Sequence, residues 1–241
     1  TGEVKAIVGG RGDKTASKTL NRATDTTRQP GSTFKILAAY SAALDAGGLT
    51  LASVQDDAPY TYAGANGKSV NNYDRRYRGF TTLREAITDS INIVTVKTLA
   101  QAGVSLGWQY VQEYGFTTVD SRDMNEALAL GGITQGVSNL ELTAAYAAIA
   151  NQGTYIKPKF YTKILDHDGN VLIDNTTPES HTVIKDTTAW LLTSAMEDVM
   201  TSGTGTSAYF GSSMAQAGKS GTTTSSRDAL FAGYTPYYTC A

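Results

Sequence analysis

The chain is poor in the residues that build disulfides, metal centres and nucleic-acid grips. Cys240 is its only cysteine, so no internal disulfide can form and the redox compartment is left open. His167 and His181 are the only histidines, without cysteine or carboxylate neighbours at metal-ligand spacing, so surface roles are expected and no metal or cofactor is called for. Twenty basic residues against 22 acidic ones give a net charge of −2, and no basic run occurs, which argues against nucleic acid as a partner. No apolar run approaches the ~20 residues that cross a bilayer, and no signal peptide opens the chain. Repeats and low-complexity tracts are also missing. The 241 residues suffice for one large domain with a proper core, or for two small ones. Both ends fall abruptly on strand-like sequence, so the chain reads as part of something longer, cut at both ends.

What is present centres on Arg28 to Gly48. Pro30 and Gly31 break the preceding segment, and an Ala- and Leu-rich run follows until Gly47-Gly48. The pattern predicts a helix entered at about Ser32, with Phe34, Leu37, Ala38, Ser41, Ala42 and Asp45 mostly buried. Ser32 and Lys35, three apart, are neighbours in its first turn. A hydroxyl there meets free backbone N–H groups and the positive end of the helix dipole, and the same field favours a neutral Lys35 amine. Nucleophile and base are thereby placed together. Such a pair also caps ordinary surface helices and arises about once by chance in a chain of this length, so it takes meaning only from company.

In chain order, Val4 to Val8 predicts a strand closed by Gly9-Gly10. Gly9-Gly10-Arg11-Gly12 is a turn rather than a phosphate loop, since no helix signal follows. Leu49 to Gly79 has few aliphatic runs and many Asp, Asn, Gly and Tyr, and predicts a long surface excursion. Thr82-Leu83-Arg84-Glu85 is a capping box opening a short helix to Asp89, interrupted at Ser90-Ile91-Asn92 and resumed from Val94 to Ala102. Further helices are expected over Ser105–Tyr114, over Asn139–Asn151 capped by Ser138 or Asn139, and over Asp186–Thr201. The last is expected to turn Trp190, Leu191, Ser194, Ala195, Val199 and Met200 inward. Asp168-Gly169 marks a hairpin between Tyr155–Asp166 and Val171–Asp174. Two strands, Met214–Thr224 and Ala229–Tyr234, flank the turn Ser225 to Asp228. The order predicts an α/β-type domain whose sheet joins both ends of the chain.

Three elements line up: Ser32-x-x-Lys35, Ser90-x-Asn92 and Lys219-Ser220-Gly221-Thr222. This trio is a known signature of penicillin-binding proteins and serine β-lactamases. Together with Asn21-Arg22-Ala23, Arg28 to Lys35, Gly131 to Pro158 and Lys219 to Pro236, nearly the whole chain resembles the transpeptidase domain of class A penicillin-binding proteins. The resemblance implies one transpeptidase domain over residues 1–241, of β-lactamase/transpeptidase-like α/β (α+β) fold. That fold has an antiparallel sheet flanked by helices and an all-helical subdomain; its last strand and C-terminal helix would lie beyond Ala241. The implied activity is D,D-transpeptidation of peptidoglycan stem peptides ending in D-Ala-D-Ala, with β-lactams as acylating mimics. The implied place is the outer face of the bacterial cytoplasmic membrane, anchored through parts upstream. By resemblance Ser32 attacks and carries the acyl group, Lys35 takes its proton, Ser90 passes a proton to the leaving amine and Asn92 holds the peptide's amide. Lys219, Ser220, Gly221, Thr222 and Thr224 would line the substrate strand, with Lys219, Ser220 and Thr222 on the terminal carboxylate. The oxyanion hole would come from the N–H groups of Ser32 and Thr222.

Rival readings are weaker. Ser90-Ile91-Asn92 alone suits a helix cap. Gly218-Lys219-Ser220 invites a nucleotide loop, but Ser213 stands where the first glycine belongs and no helix follows. A non-catalytic β-lactam sensor would keep the same residues, although an intact Ser90 and Asn92 disfavour it. Class A β-lactamases carry a deacylating glutamate in a Glu-x-x-Leu-Asn segment. Neither Glu126 nor Glu141 has that setting, which leaves D,D-carboxypeptidase as the closer alternative.

Overall fold

The computed structural model describes residues 1–63, 67–223 and 227–241. Its centre is the expected helix, and the first surprise is how that helix is wound. Gly31–Thr33 forms a 3-10 turn, Lys35–Tyr40 continues as a π-helix, and only Ser41–Asp45 (α1) is α-helical. The backbone N–H and the hydroxyl of Ser41 both donate to the Ile36 carbonyl, satisfying the wider turn. Wide turns of this kind concentrate at functional sites. Every residue from Phe34 to Tyr40 is fully buried, Lys35 included, so this is a helix surrounded on all sides. Asp45, expected to be buried, is half-exposed at its end and accepts from the Tyr110 hydroxyl and the Lys185 N–H.

Around that centre the chain runs as follows. Thr27–Arg28 (β1) precedes the central helix, and the excursion comes next. It is not the structureless loop its composition suggested, for Val54–Asp57 (β2), Tyr60–Thr61 (β3), Ser69–Val70 (β4) and Gly79–Thr82 (β5) nest one hairpin inside another. Leu51, Asp57, Val70 and Asn72 are buried beneath it. Two aliphatic anchors, Leu51 and Val70, and two polar ones, Asp57 and Asn72, leave no periodic signal to read.

Leu83–Thr88 (α2) begins at the expected capping box, with Thr82 and Glu85 bonding reciprocally. Asn92–Ala102 (α3) and Val104–Glu113 (α4) follow, and α4 crosses the central helix closely at Gly107. Val137–Ser138 (β6) pairs with β1, and Ser138 caps Asn139–Ala150 (α5) in a second capping box with Glu141. Thr154–Ile156 (β7), Lys163–Leu165 (β8), Val171–Asp174 (β9) and Ser180–Thr182 (β10) then form two hairpins rather than one. β8 pairs with β9 around Gly169 as expected, but Tyr155 belongs to β7, which pairs with β10. Pro158, lacking an N–H, separates the two ladders.

Asp186–Thr201 (α6) has the expected bounds, but its inner face is Ala189, Leu192, Ala195, Met196, Val199 and Met200. Trp190 lies outside, 68% exposed. Ala217–Thr222 (β11), Ala229–Tyr234 (β12) and Thr239–Cys240 (β13) form an antiparallel sheet in that order, packed by α5 and α6.

The expected joining of both chain ends in one sheet is not found. Among the described residues Val4–Val8 pairs with no strand of that sheet; beside it Glu3 bridges Lys159, and the Val4 N–H donates to the Lys159 carbonyl. Val8 is 78% exposed, and without a face to bury, β-branched residues do not make a strand. No described helix is long and apolar enough to cross a membrane.

Candidate active site

The turn carrying Ser32 is pinned from three sides. Thr33 Oγ1 donates to the Pro30 carbonyl at 2.7 Å, and the Tyr146 hydroxyl of α5 donates to the Thr33 carbonyl at 2.7 Å. Gln29 exchanges hydrogen bonds with the backbone of Ile133 through both ends of its amide. Gly31 takes φ +56°, which a side chain would disfavour. Strand β11 lies directly against this turn: a Cβ on Gly221 would come 2.7 Å from the Pro30 carbonyl oxygen. Ser32 itself is half-buried, with the next residue buried on either side.

One helical turn on, Lys35 is fully buried. Its Nζ lies 2.7 Å from the Ser90 carbonyl, 2.6 Å from Asn92 Oδ1 and 3.2 Å from Ser90 Oγ. Lys219, equally buried on β11, donates to the same Ser90 Oγ at 2.9 Å and to its neighbour's carbonyl, Ser220 O, at 3.0 Å. Among the described residues all of these acceptors are uncharged oxygens. Two buried ammonium groups without a counter-ion are costly, so both titrate low. Burial pushes Lys219 down to about 7. Lys35 is driven well below the ordinary lysine value, first by burial and then by the charge on Lys219.

Ser90 joins α2 to α3 at φ +56°, in the left-handed region that few non-glycine residues occupy. From there its carbonyl and its hydroxyl both face Lys35. Asn92 is the first residue of α3. Its Oδ1 is turned to Lys35, and its Nδ2 donates to the Asn71 carbonyl at 2.7 Å.

Four of the expected site residues, Lys35, Ser90, Asn92 and Lys219, thus share one hydrogen-bonded cluster, and Ser32 lies three residues before Lys35 in the preceding turn. The Ser220 hydroxyl donates to Thr204 Oγ1 at 2.9 Å, in the loop after α6. Gly221 is buried, Thr222 is exposed at the end of β11, and Thr224 lies outside the described residues, as do Ser225 and Ser226. Among the described residues no histidine, cysteine and carboxylate cluster could hold a metal. His181 Nε2 instead meets the Glu113 carbonyl, and His167 lies beside Asp168.

Both glutamates weighed as deacylating bases have their carboxylates occupied. Glu126 accepts from the Tyr60 hydroxyl and from the Ala63 N–H, each at 2.9 Å. Glu141 accepts from Thr117 with one oxygen and caps α5 through Ser138 with the other. Two residues of the site's surroundings were not foreseen. Asn72 and Asp57, both buried in the excursion, support the start of α3.

The family model for the penicillin binding protein transpeptidase domain matches residues 1–239. The chain belongs to the penicillin-binding protein transpeptidase family. Penicillin-binding protein 1F of Bacillus subtilis (strain 168) is 40% identical over 247 residues, covering 100% of this chain and 33% of the relative. The chain spans about a third of the length of the curated penicillin-binding proteins it matches. Penicillin-binding protein 1A from Haemophilus influenzae, a crystal structure, superposes with a TM-score of 0.79 at 29% identity, covering 89% of this chain and 37% of that one. Penicillin-binding protein A from M. tuberculosis, solved as an imipenem acyl-enzyme complex, superposes with a TM-score of 0.78, covering 93% and 55%. At 21% identity that second likeness speaks for the α+β transpeptidase fold alone.

Proposed function

We propose that this penicillin-binding module is a serine D,D-transpeptidase, joining peptidoglycan stem peptides through an acyl-enzyme on Ser32 and being acylated there by β-lactams. The carrying observation is the convergence of three separate sequence elements on one hydroxyl, Ser90 Oγ, with two buried lysines on either side of it. Proton transfer asks for a neutral amine near pH 7, and desolvation supplies one at Lys35.

In the forward half-reaction the Ser32 hydroxyl attacks the carbonyl carbon of the penultimate D-Ala, and Lys35 takes its proton. The C–N bond breaks, and the leaving D-Ala nitrogen receives a proton through the Ser90 hydroxyl, which Lys35 and Lys219 both contact. An acceptor amine then attacks the ester, gives up its proton along the same path and restores Ser32. Lys219, on the strand beside the nucleophile's turn, attracts the terminal carboxylate. Ser220, Gly221 and Thr222 line that strand, where an extended peptide adds to the edge, and Thr224 is proposed to bind substrate as well. The N–H groups of Ser32 and Thr222 act on the oxyanion, where one donor is worth ~2.7–4 kcal/mol. Asn92 serves first to hold Lys35, as its carbonyl oxygen does here.

The module works as one domain over residues 1–241, on the outer face of the bacterial cytoplasmic membrane. Product analysis tests the reading. With a D-Ala-D-Ala donor peptide and an amine acceptor, the cross-linked dipeptide should dominate over the hydrolysed donor. Hydrolysed donor alone, whatever the acceptor concentration, would make the protein a carboxypeptidase.

A further inference from the structure

The side chain of Asn72 stands between two groups of opposite character. On one side the backbone N–H groups of Asn92 and Ile93, at the start of α3, donate to its Oδ1 at 3.0 and 3.2 Å. On the other its Nδ2 lies 2.8 and 2.9 Å from the two carboxylate oxygens of Asp57, and 2.8 Å from the Arg76 carbonyl. Backbone amides only donate, and a carboxylate only accepts. One orientation of the Asn72 amide satisfies both, so its direction is fixed by chemistry. Asn72 is 2% exposed and Asp57 is fully buried. The Asp57 carboxylate also accepts the Arg78 N–H at 2.9 Å, with the Arg78 guanidinium 3.8 Å away.

Helix α3 lacks a cap of its own, because Ile91 at its N-cap position has no side-chain acceptor. Asn72 supplies that acceptor from twenty residues upstream, and it does so at the very residue whose side chain meets Lys35. The neighbouring Asn71 carbonyl takes the Asn92 Nδ2. Backbone and side chain of Asn92 are therefore both held by the excursion. Only its Oδ1 is left to face Lys35.

We infer that Asn72, locked by Asp57, is a positioning residue of the acyl-transfer reaction: it sets Asn92 and, through Asn92, the amine of Lys35. This rests on the reading of Ser32 and Lys35 given above. A misplacement of about 1 Å at a reacting group costs on the order of 100-fold in rate, so the lever is large for a residue that touches no substrate.

The test is a double-mutant cycle on penicillin acylation of the purified protein, separating the rate within the saturated complex from the affinity of the initial one. Asn72→Ala should lower the acylation rate at least about tenfold while the initial affinity stays within about threefold. Asn92→Ala should lower the rate as well, and adding Asn72→Ala to it should change little more. Additive losses, or a wild-type rate in a folded Asn72→Ala protein, would overturn the inference. Amide hydrogen exchange on the unsubstituted protein is an independent check that no folding defect can obscure. The Asn92 and Ile93 amides should be protected to the level of the α3 interior, and fast exchange there would also overturn it. If the unsubstituted protein acquires no penicillin on Ser32, the functional reading itself fails, an outcome distinct from either of these.

Discussion

Lys35 and Lys219, from helix and strand 184 residues apart in sequence, reach the same oxygen, the hydroxyl of Ser90. The two amines are fully buried and lower each other's tolerance for charge. A pair so coupled gives up its protons in sequence, and the macroscopic steps belong to the pair. Burial lowers both amines, and the charge on Lys219 lowers Lys35 further, which favours a neutral base at Lys35 beside a cation that can hold a carboxylate.

The pH profile of acylation should report this coupling. Its acid limb follows Lys35, and its alkaline limb follows the loss of charge on Lys219, which titrates at about 7 without substrate. Lys219→Met removes the charge that depresses Lys35, so the acid limb should move to higher pH and the alkaline limb should vanish. Acylation kinetics with a penicillin from pH 5 to 10 measure both. An unchanged acid limb would contradict the coupling.

The two lysines should not be interchangeable with arginine. Lys35→Arg keeps the charge but cannot act as a base, because a guanidinium stays protonated throughout this range. Acylation should fall by several orders of magnitude. Lys219→Arg keeps a cation near the carboxylate and should chiefly weaken initial binding. Equal losses from both, in rate and in affinity, would contradict separate roles.

Stability should carry the opposite signature from activity. Lys219 has a native value of about 7 against an ordinary 10.5, so the unfolded chain binds more protons between those limits. Native stability should therefore rise with pH from about 7 to about 10.5, and the full cost of burying the charge applies below 7. Lys219→Met should flatten that rise and be the more stable protein at pH 6, by on the order of a few kcal/mol less about 1 for each lost hydrogen bond. Denaturant unfolding at pH 6, 8 and 10 reads the slope. A wild type that loses stability across this window would count against burial of a charged Lys219.

The acyl-enzyme should persist. Fast hydrolysis needs a base that holds water against the ester, and both carboxylates of Glu126 and Glu141 are taken up by structural hydrogen bonds. Glu126→Gln should leave deacylation within about twofold while costing about 1–3 kcal/mol of stability, as its Ala63 and Tyr60 partners lose a charged acceptor. A chromogenic cephalosporin turned over many times per second would identify a β-lactamase instead.

Much of this was legible in the sequence, and what was not has physical reasons. The capping box at Thr82, the candidate caps Ser138 and Asn139, and the run Asp186–Thr201 announced their helices, since local chemistry decides those starts. Lys35, Ser90, Asn92 and Lys219 were expected to meet, and they do. The π-helical winding of Lys35–Tyr40 was hidden, because a fully buried helix has no polar face to reveal its pitch. Asn72 and Asp57 were hidden for another reason. A buried polar pair in a loop looks like loop composition until the partners, twenty and fifteen residues away, are in place. Trp190 was expected inside, yet it lies on the outer side of α6.

The most direct test of the central claim is the mass and location of a penicillin adduct. Incubated with excess penicillin, the folded protein should gain one drug mass per chain within the first turnover, and peptide mapping should place it on Ser32. Ser32→Ala should acquire none while keeping the parent's stability to within about 1 kcal/mol, because the turn makes no side-chain cap bond and Pro30, not Ser32, stands at its N-cap. An adduct on Ser90 or Ser220, or undiminished labelling of the Ser32→Ala protein, would contradict the account.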